Sequence, residues 1–263
     1  MSDRVAAIGC GAIGMALIEA LNRDPGAPSV GALLYRRVQR NTFPDLQHFQ
    51  SLAGLLAWRP SLAVECAGHA AVGEYLPPLL EAGIDVILAS VGALADAAVA
   101  EKLAAAAEKG NARLVVVSGA IGGIDALRAA RHAGLDQVTY VGRKPPKAWA
   151  GTPAAQSVDL EALTEATTVF EGTAREAARL YPRNANVTAT VAFAGLGLDR
   201  TQVHLIADPA TALNIHELDA AGAFGRLNLR LENAALPGNP RSSHLASLSL
   251  EHAVREHFRH IKI

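Results

Sequence analysis

Cysteine is almost missing: two in 263 residues, Cys10 and Cys66, cannot build a disulfide framework, and they lack metal-ligand spacing. Both fall where strand ends are expected, so they read as small buried hydrophobes, with a reducing cytoplasm as the default setting. An excess of charge is missing too. With 24 Lys and Arg against 25 Asp and Glu, the net charge of −1 leaves no footprint for nucleic acid or an anionic membrane. No apolar run reaches the ~18 residues that cross a bilayer. The opening residues also lack a charged-then-apolar signal layout with a cleavage site, because the early apolar run is short and flows into glycines. Repeats and low-complexity tracts are absent. What remains is ordinary globular composition, half hydrophobic and 19% charged, sufficient for one large domain or two modest ones.

Up to Gly119, strand-like apolar runs alternate with helical patterns. "VAAIG" precedes "AIGMALIEALNRD", where Ile13, Ala16, Leu17, Ala20 and Leu21 share one helical face. "DPG" breaks that helix and "SVGALLY" reads as a second strand. "SLAVECAG" is a further strand, followed by the helix "AAVGEYLPPLLEAG"; "DVILAS" and "ARLVVVSG" bracket the Ala-rich helix "DAAVAEKLAAAAEKG". Strands this uniformly apolar are buried on both faces, which predicts a parallel sheet sandwiched by helices.

Beyond the glycine-bearing turn "SGAIGGIDAL" the rhythm changes. "QVTYVGRKPP", "TQVHLIADP" and "FGRLNLRLEN" alternate polar and apolar residues, which predicts a largely antiparallel sheet with one covered face. The helical patterns "TAREAARLY" and "NVTATVAFAGLG" interrupt them, and the amphipathic tail "SHLASLSLEHAVREHF" suits a helix folding back on the first domain. The expected organisation is an α/β chain. Residues 1–118 form a dinucleotide-binding domain, 119–240 a second α/β catalytic and dimerisation domain, and about 241–263 the returning helix.

The glycines of "GCGAIG" sit in the context that gives such a motif meaning, between a strand and an amphipathic helix. Gly9 suits the tight turn, Gly11 the close approach of a pyrophosphate, and Gly14 the packing of helix on strand. Ala12 and Ile13 open the helix whose N-terminus would face the phosphates. About 20 residues on, a carboxylate would hold the ribose of NAD. Here Tyr35, Arg36 and Arg37 stand at that place, with no acid before Asp45. A guanidinium suits a 2′-phosphate, so Arg36 points to NADP being accepted beside NAD, unless these arginines are only solvated loop residues.

A nicotinamide domain with a second lobe implies hydride transfer to a substrate held between them, with the second lobe supplying an acid or base. Nine histidines are available. His204 reads as a strand-face residue, while His252, His257 and His260 read as solvated on or past the terminal helix. His244 lies near the second lobe. His216, flanked by Asn214 and Glu217 in "NIHELDAAGAFG", sits in a polar-apolar stretch between strands; an imidazole there titrates near neutrality, yet composition alone leaves it one candidate among several.

The motifs "GCGAIG", "VECAGHAAV", "SVGALAD", "SGAIGGIDAL", "RKPP", "NANV" and "NIHELDAAGAFGRL", in that order, resemble those of the L-aspartate dehydrogenases. The resemblance runs from residue 4 to "NPRSSHLASLS" and so covers nearly the whole chain. It implies a Rossmann domain joined to an α/β catalytic domain, usually in a homodimer. The implied activity interconverts L-aspartate with iminoaspartate or oxaloacetate plus ammonia, using NAD or NADP, with a possible supply to NAD biosynthesis. It places the catalytic histidine on His216 and nicotinamide-side contacts on Ala120 and Asn186. A small side chain at Ala120 lets the backbone approach a ring, and the Asn186 amide matches a carboxamide. Asn186 also reads as a helix N-cap, a task Asn184 could take instead. A dicarboxylate substrate needs cations, and Arg143 and Lys144, with Lys147 close behind, are candidates; Asn184 joins them as a possible substrate contact. The alternative for "GRKPP" is a basic surface loop turned by prolines.

Neighbouring families fit less well. The Glu-Lys-Pro run of sugar and inositol dehydrogenases is replaced by "ASVGAL". The His-His pair and Lys…Pro-Ser-Gly-Thr signature of dihydrodipicolinate reductases are missing. Homoserine dehydrogenase shares something of "SGAIGGI" but not its paired lysines. Another small amino-acid or oxo-acid dehydrogenase, or a non-catalytic nucleotide sensor, is the alternative; a sensor needs no acid/base group aimed at nicotinamide.

Overall fold

Apolar β-runs separated by helical stretches fold as their periodicity requires. The computed structural model describes residues 4–36 and 43–261. The chain divides into two compact units, one of Met1–Val117 with Ser247–Ile263, the other of Ser118–Ala246.

In the first unit the order is β1 (Val5–Ile8), α1 (Ala12–Arg23), β2 (Val30–Leu34), β3 (Gln47–Phe49), α2 (Leu52–Trp58), β4 (Leu62–Glu65), α3 (His69–Glu81), β5 (Asp85–Leu88), α4 (Ala97–Gly110) and β6 (Leu114–Val116). The sheet runs β3-β2-β1-β4-β5-β6, every pair parallel. Side chains alternate across a strand, so β1 feeds two cores. Val5 and Ala7 pack with Leu17 and Leu21 of α1, whereas Ala6 and Ile8 pack with Leu76, Leu80 and Leu103 of α3 and α4. The C-terminal helix His244–Phe258 contributes Leu250 and Val254, both fully buried, to the first of these cores. Its Arg255 bridges Asp24 at 2.7 Å and Glu251 at 2.7 Å. His257, expected to be solvated, instead has a side chain only 13% exposed, with Nδ1 3.9 Å from Asp85. The helix face it shares is the packed one.

Strand order reverses direction between β1 and β4, the crevice where open parallel sheets bind ligands. One fully buried carboxylate shapes it. Glu65 ends β4 and accepts hydrogen bonds from the amides of Ala67 and Gly68, both at 2.8 Å, and from Ser90 N and Oγ, both at 2.9 Å. It thereby joins the ends of β4 and β5. Glu65→Ala strands the two buried donors of Ser90 and releases the part-buried amides of Ala67 and Gly68, so unfolding by urea should show a loss of about 3 kcal/mol; an unchanged midpoint would contradict this role.

The second unit contains α5 (Ile124–Ala130), β7 (Leu135–Lys144), α6 (Ala154–Ser157), β8 (Thr167–Thr173), α7 (Ala174–Leu180), α8 (Ala185–Ala194), β9 (Gln202–Ala207), β10 (Asn214–Gly222), β11 (Gly225–Asn233), β12 (Ala235–Leu236) and β13 (Asn239–Ser243). Its main sheet runs β11-β10-β7-β9-β8. The largely antiparallel expectation is corrected: the sheet is mixed, because the central pair β7 and β9 is parallel. Alternation reveals a covered face but not strand direction, and the long crossover through β8, α7 and α8 makes the parallel pairing possible. The covered face carries Val138, Tyr140, Val203, Leu205, Leu218 and Ala220, all nearly inaccessible. Over Val138 lies the end of α8: a Cβ added at Gly195 would sit 3.1 Å from Val138 and 3.4 Å from Leu127 of α5. Eight of the ten α8 residues are buried, as befits a helix apolar on all sides.

Candidate active site

In the first unit the glycine loop follows β1. Gly9 has φ +98°, and a Cβ there would lie 2.6 Å from Ala67 Cα. A Cβ at Gly14 would meet Gly9 O at 2.6 Å and Cys66 Sγ at 2.9 Å. At Gly11 the direction of the missing Cβ is open, with nothing within 4 Å. Gly11 also caps α1 without a side-chain bond, and no acid lies in that helix's first turn, where Ala12 and Ile13 stand. An uncapped helix N-terminus beside an open backbone approach fits a pyrophosphate. A cleft of about 430 Å³ opens here, bounded by Gly9, Gly11, Tyr35, Arg36, Ala67 and Tyr75. Arg36 donates from Nε to Tyr75 Oη at 2.9 Å and pairs with Glu74. Arg37, the neighbouring candidate, lies outside the described residues. Both cysteines are half-buried rather than fully enclosed. Burial pushes their thiols up, most strongly at Cys66, so they stay neutral.

In the second unit His216 lies within β10, not between strands as expected; polar Asn214, Glu217 and Asp219 mask the period-2 pattern in which Asn214, His216, Leu218 and Ala220 point inward. The ring is 3% exposed. Its Nδ1 shares a hydrogen bond of 2.8 Å with Tyr140 Oη, and Nε2 lies 3.4 Å from Ser243 Oγ. The two rings are nearly coplanar in orientation, 14° apart. Opposite His216 in the ladder stands Gly142, and a Cβ there would lie 2.8 Å from Tyr140 Oη. The glycine therefore makes room for the tyrosine to reach the imidazole. Burial raises the Tyr140 phenol, which keeps its proton.

Lys144 shares this face, two positions beyond Gly142, while Arg143 points to the other. The Lys144 ammonium donates to Asn184 Oδ1 at 2.9 Å. Burial lowers Lys144 to about 8. Burial first, and the nearby Lys144 charge second, push His216 down to about 3. The imidazole is thus neutral at working pH with the lysine beside it. Arg143 is held by Asp208 at 2.9 Å. The pair "RK" is therefore not one anchor: Lys144 joins His216, and Arg143 is engaged on the opposite face. Lys147 lines a separate cleft with Pro145 and Asp159. His204 faces Glu171 at 3.7 Å, away from His216. Asn184 occupies the N-cap of α8 but makes no side-chain cap bond, its oxygen serving Lys144 instead; Asn186 lies exposed in the first turn.

Ala120, 6% exposed, sits between the left-handed glycines Gly119 and Gly123. Its carbonyl accepts from Asn233 Nδ2 at 2.8 Å, and Asn233 pairs with Asn214 in the β10–β11 register. The turn is thereby fixed to the strand that carries His216. The roles of Tyr140, Gly142, Ser243 and Asn233 escape a reading of the sequence: Gly142 and Ser243 lie inside "GRKPP" and "NPRSSHLASLS" but show no local sign of their partners, and only the alternation through "QVTYVGRK" hints that Tyr140 and Lys144 share a face.

The family model described as "Aspartate dehydrogenase, C-terminal" matches residues 125–257, and "Homoserine dehydrogenase, NAD binding domain" matches residues 9–117. An L-aspartate dehydrogenase of Cupriavidus necator is 50% identical, with 95% of this chain and 96% of that protein covered. One from Pseudomonas aeruginosa is 47% identical over 97% and 98% of the two chains. The crystal structure of aspartate dehydrogenase from Thermotoga maritima superposes over 100% of both chains with a TM-score of 0.79 at 28% identity. The chain belongs to the L-aspartate dehydrogenase family.

Proposed function

We propose that this protein oxidises L-aspartate with NAD or NADP, giving iminoaspartate and then oxaloacetate with release of ammonia, and that it runs the reductive amination in reverse. One observation carries the reading: a buried, neutral imidazole and a half-buried lysine share one sheet face in a chain whose first unit has the glycine cradle of a dinucleotide site. Gly9, Gly11, Ala12, Ile13 and Gly14 would hold the pyrophosphate, Arg36 the adenosine end, and Ala120 and Asn186 the nicotinamide. When bound, the nicotinamide supplies the two-electron oxidant for the Cα–H bond.

The chain's own residues handle charge and protons. Lys144, braced by Asn184, would take a substrate carboxylate. A dianionic substrate offsets the lysine charge that depresses His216, so the imidazole becomes a stronger base once the site is filled. His216 then takes a proton from the water that attacks the imine carbon, and returns it as the C–N bond breaks and ammonia leaves. Tyr140 and Ser243 hold the ring by its two nitrogens. The products balance as one reduced cofactor and one ammonia per aspartate, a ratio that coupled assays of the two products check directly. The same reading makes the second unit the catalytic and dimerisation part of a cytoplasmic homodimer that can supply iminoaspartate to pyridine nucleotide synthesis. Support for this comes from the family resemblance, and light scattering tests the dimer.

A pH dependence follows. Lys144 is cationic below about 8 and loses its charge above it. The inhibition constant of succinate, a dicarboxylate without an amine, should therefore stay level below that pH and rise toward tenfold per pH unit above it. Lys144→Met should weaken succinate and abolish the break. A break that persists in the variant would assign it to another group.

A further inference from the structure

Arg36 is the only charged side chain among the described residues that line the dinucleotide cleft. It follows directly on Tyr35 at the end of β2, where a parallel nucleotide fold places the adenosine ribose. Two adjacent residues of α3 engage its guanidinium through different nitrogens. Tyr75 lies under it, with the ring centroid 5.6 Å from Cζ and the hydroxyl accepting from Nε at 2.9 Å. Glu74 pairs with the terminal nitrogen, and unlike Tyr75 it is not part of the cleft wall. The pair is open to water, with side chains 59% and 50% exposed. An ion pair of that kind is weak and exchanges partners readily.

We propose that Glu74 sets the balance between NAD and NADP by competing with the 2′-phosphate for Arg36. With NAD the Arg36–Glu74 pair stays intact, and Tyr75 keeps the guanidinium at the rim. With NADP the phosphate replaces the carboxylate as the partner of Arg36, at the cost of the lost pair. No lining carboxylate among the described residues holds the ribose 2′-hydroxyl, so neither cofactor is excluded. This rests on the cleft being the NAD(P) site.

The test is calorimetric titration of the whole protein with NADPH and with NADH, without substrate, for the parent, Glu74→Gln, Arg36→Gln and the double variant. Glu74→Gln should lower the NADPH Kd by roughly fivefold and change the NADH Kd by less than about twofold. In the Arg36→Gln background the same substitution should have little effect on NADPH, because its route of action is gone. Circular dichroism verifies that these surface variants fold. Equal shifts for both cofactors, or a NADPH gain that survives without Arg36, would overturn the role of Glu74. Failure of the parent to bind either nucleotide would instead overturn the cleft assignment, and the proposal with it.

Discussion

His216→Asn is expected to lower kcat for aspartate oxidation by roughly 10²–10⁴-fold, the usual contribution of a positioned acid or base. The loss should appear in kcat and kcat/KM together, since the step served is proton transfer rather than ground-state binding. Asparagine is chosen because the ring sits in a buried pocket between Tyr140 and Ser243, where an alanine would leave both hydroxyls unpaired as well as a cavity. Titration with NADH should be little changed, which separates lost chemistry from a lost site. Tyr140→Phe should give a smaller decrease, because the ring keeps its Ser243 contact while losing the bond that orients Nδ1. If His216→Asn retained parental kcat, the imidazole would have no part in the reaction.

The second large effect belongs to the glycine loop, where two substitutions of equal size should behave differently. Gly9→Ala forces a side chain onto a backbone at φ +98° and drives Cβ to 2.6 Å from Ala67 Cα. Left-handed conformation alone costs about 1–2 kcal/mol, and the overlap is with main chain that cannot rotate away. The loop must move, and NADH affinity should fall roughly a hundredfold along with a measurable loss of stability. Gly11→Ala meets nothing within 4 Å in the protein, so thermal stability should hold. Its methyl group nonetheless occupies the space a pyrophosphate needs, so NADH affinity should fall without destabilisation. Were Gly11→Ala to bind NADH normally, the cradle would not be where the phosphates lie.

Much of the first unit is legible because its strands are short, uniformly apolar and bounded by glycine or proline. Periodicity there gives both element type and burial. β3 passes unnoticed because Gln47–Phe49 is a three-residue edge strand, too short for a periodic signal, and α2 because Leu52–Trp58 fully buries only Leu55 and shows no repeating face. In the second unit alternation finds β7, β9 and β11 but not the parallel pairing of β7 with β9, which depends on a crossover of many residues. β10 is disguised because its inward positions begin with Asn214 and His216, polar residues buried for a purpose. The candidate site shows the same division. The glycines and Arg36 carry a local meaning. Arg143 and Lys144 look equivalent in sequence, yet a pleated strand sends them to opposite faces. Glu65, Tyr140 and Asn233 act through long-range hydrogen bonds, 25, 76 and 113 residues away in the chain, which no local pattern can announce.

The claim that this chain is an aspartate dehydrogenase is tested most directly by steady-state turnover across a panel of amino acids with NAD and with NADP. The expected result is a kcat/KM for L-aspartate well above that for alanine, glutamate or homoserine, with the reduced cofactor and ammonia formed in equal amounts. A neutral amino acid turned over faster than aspartate, or no reduced cofactor with any of them, would contradict it.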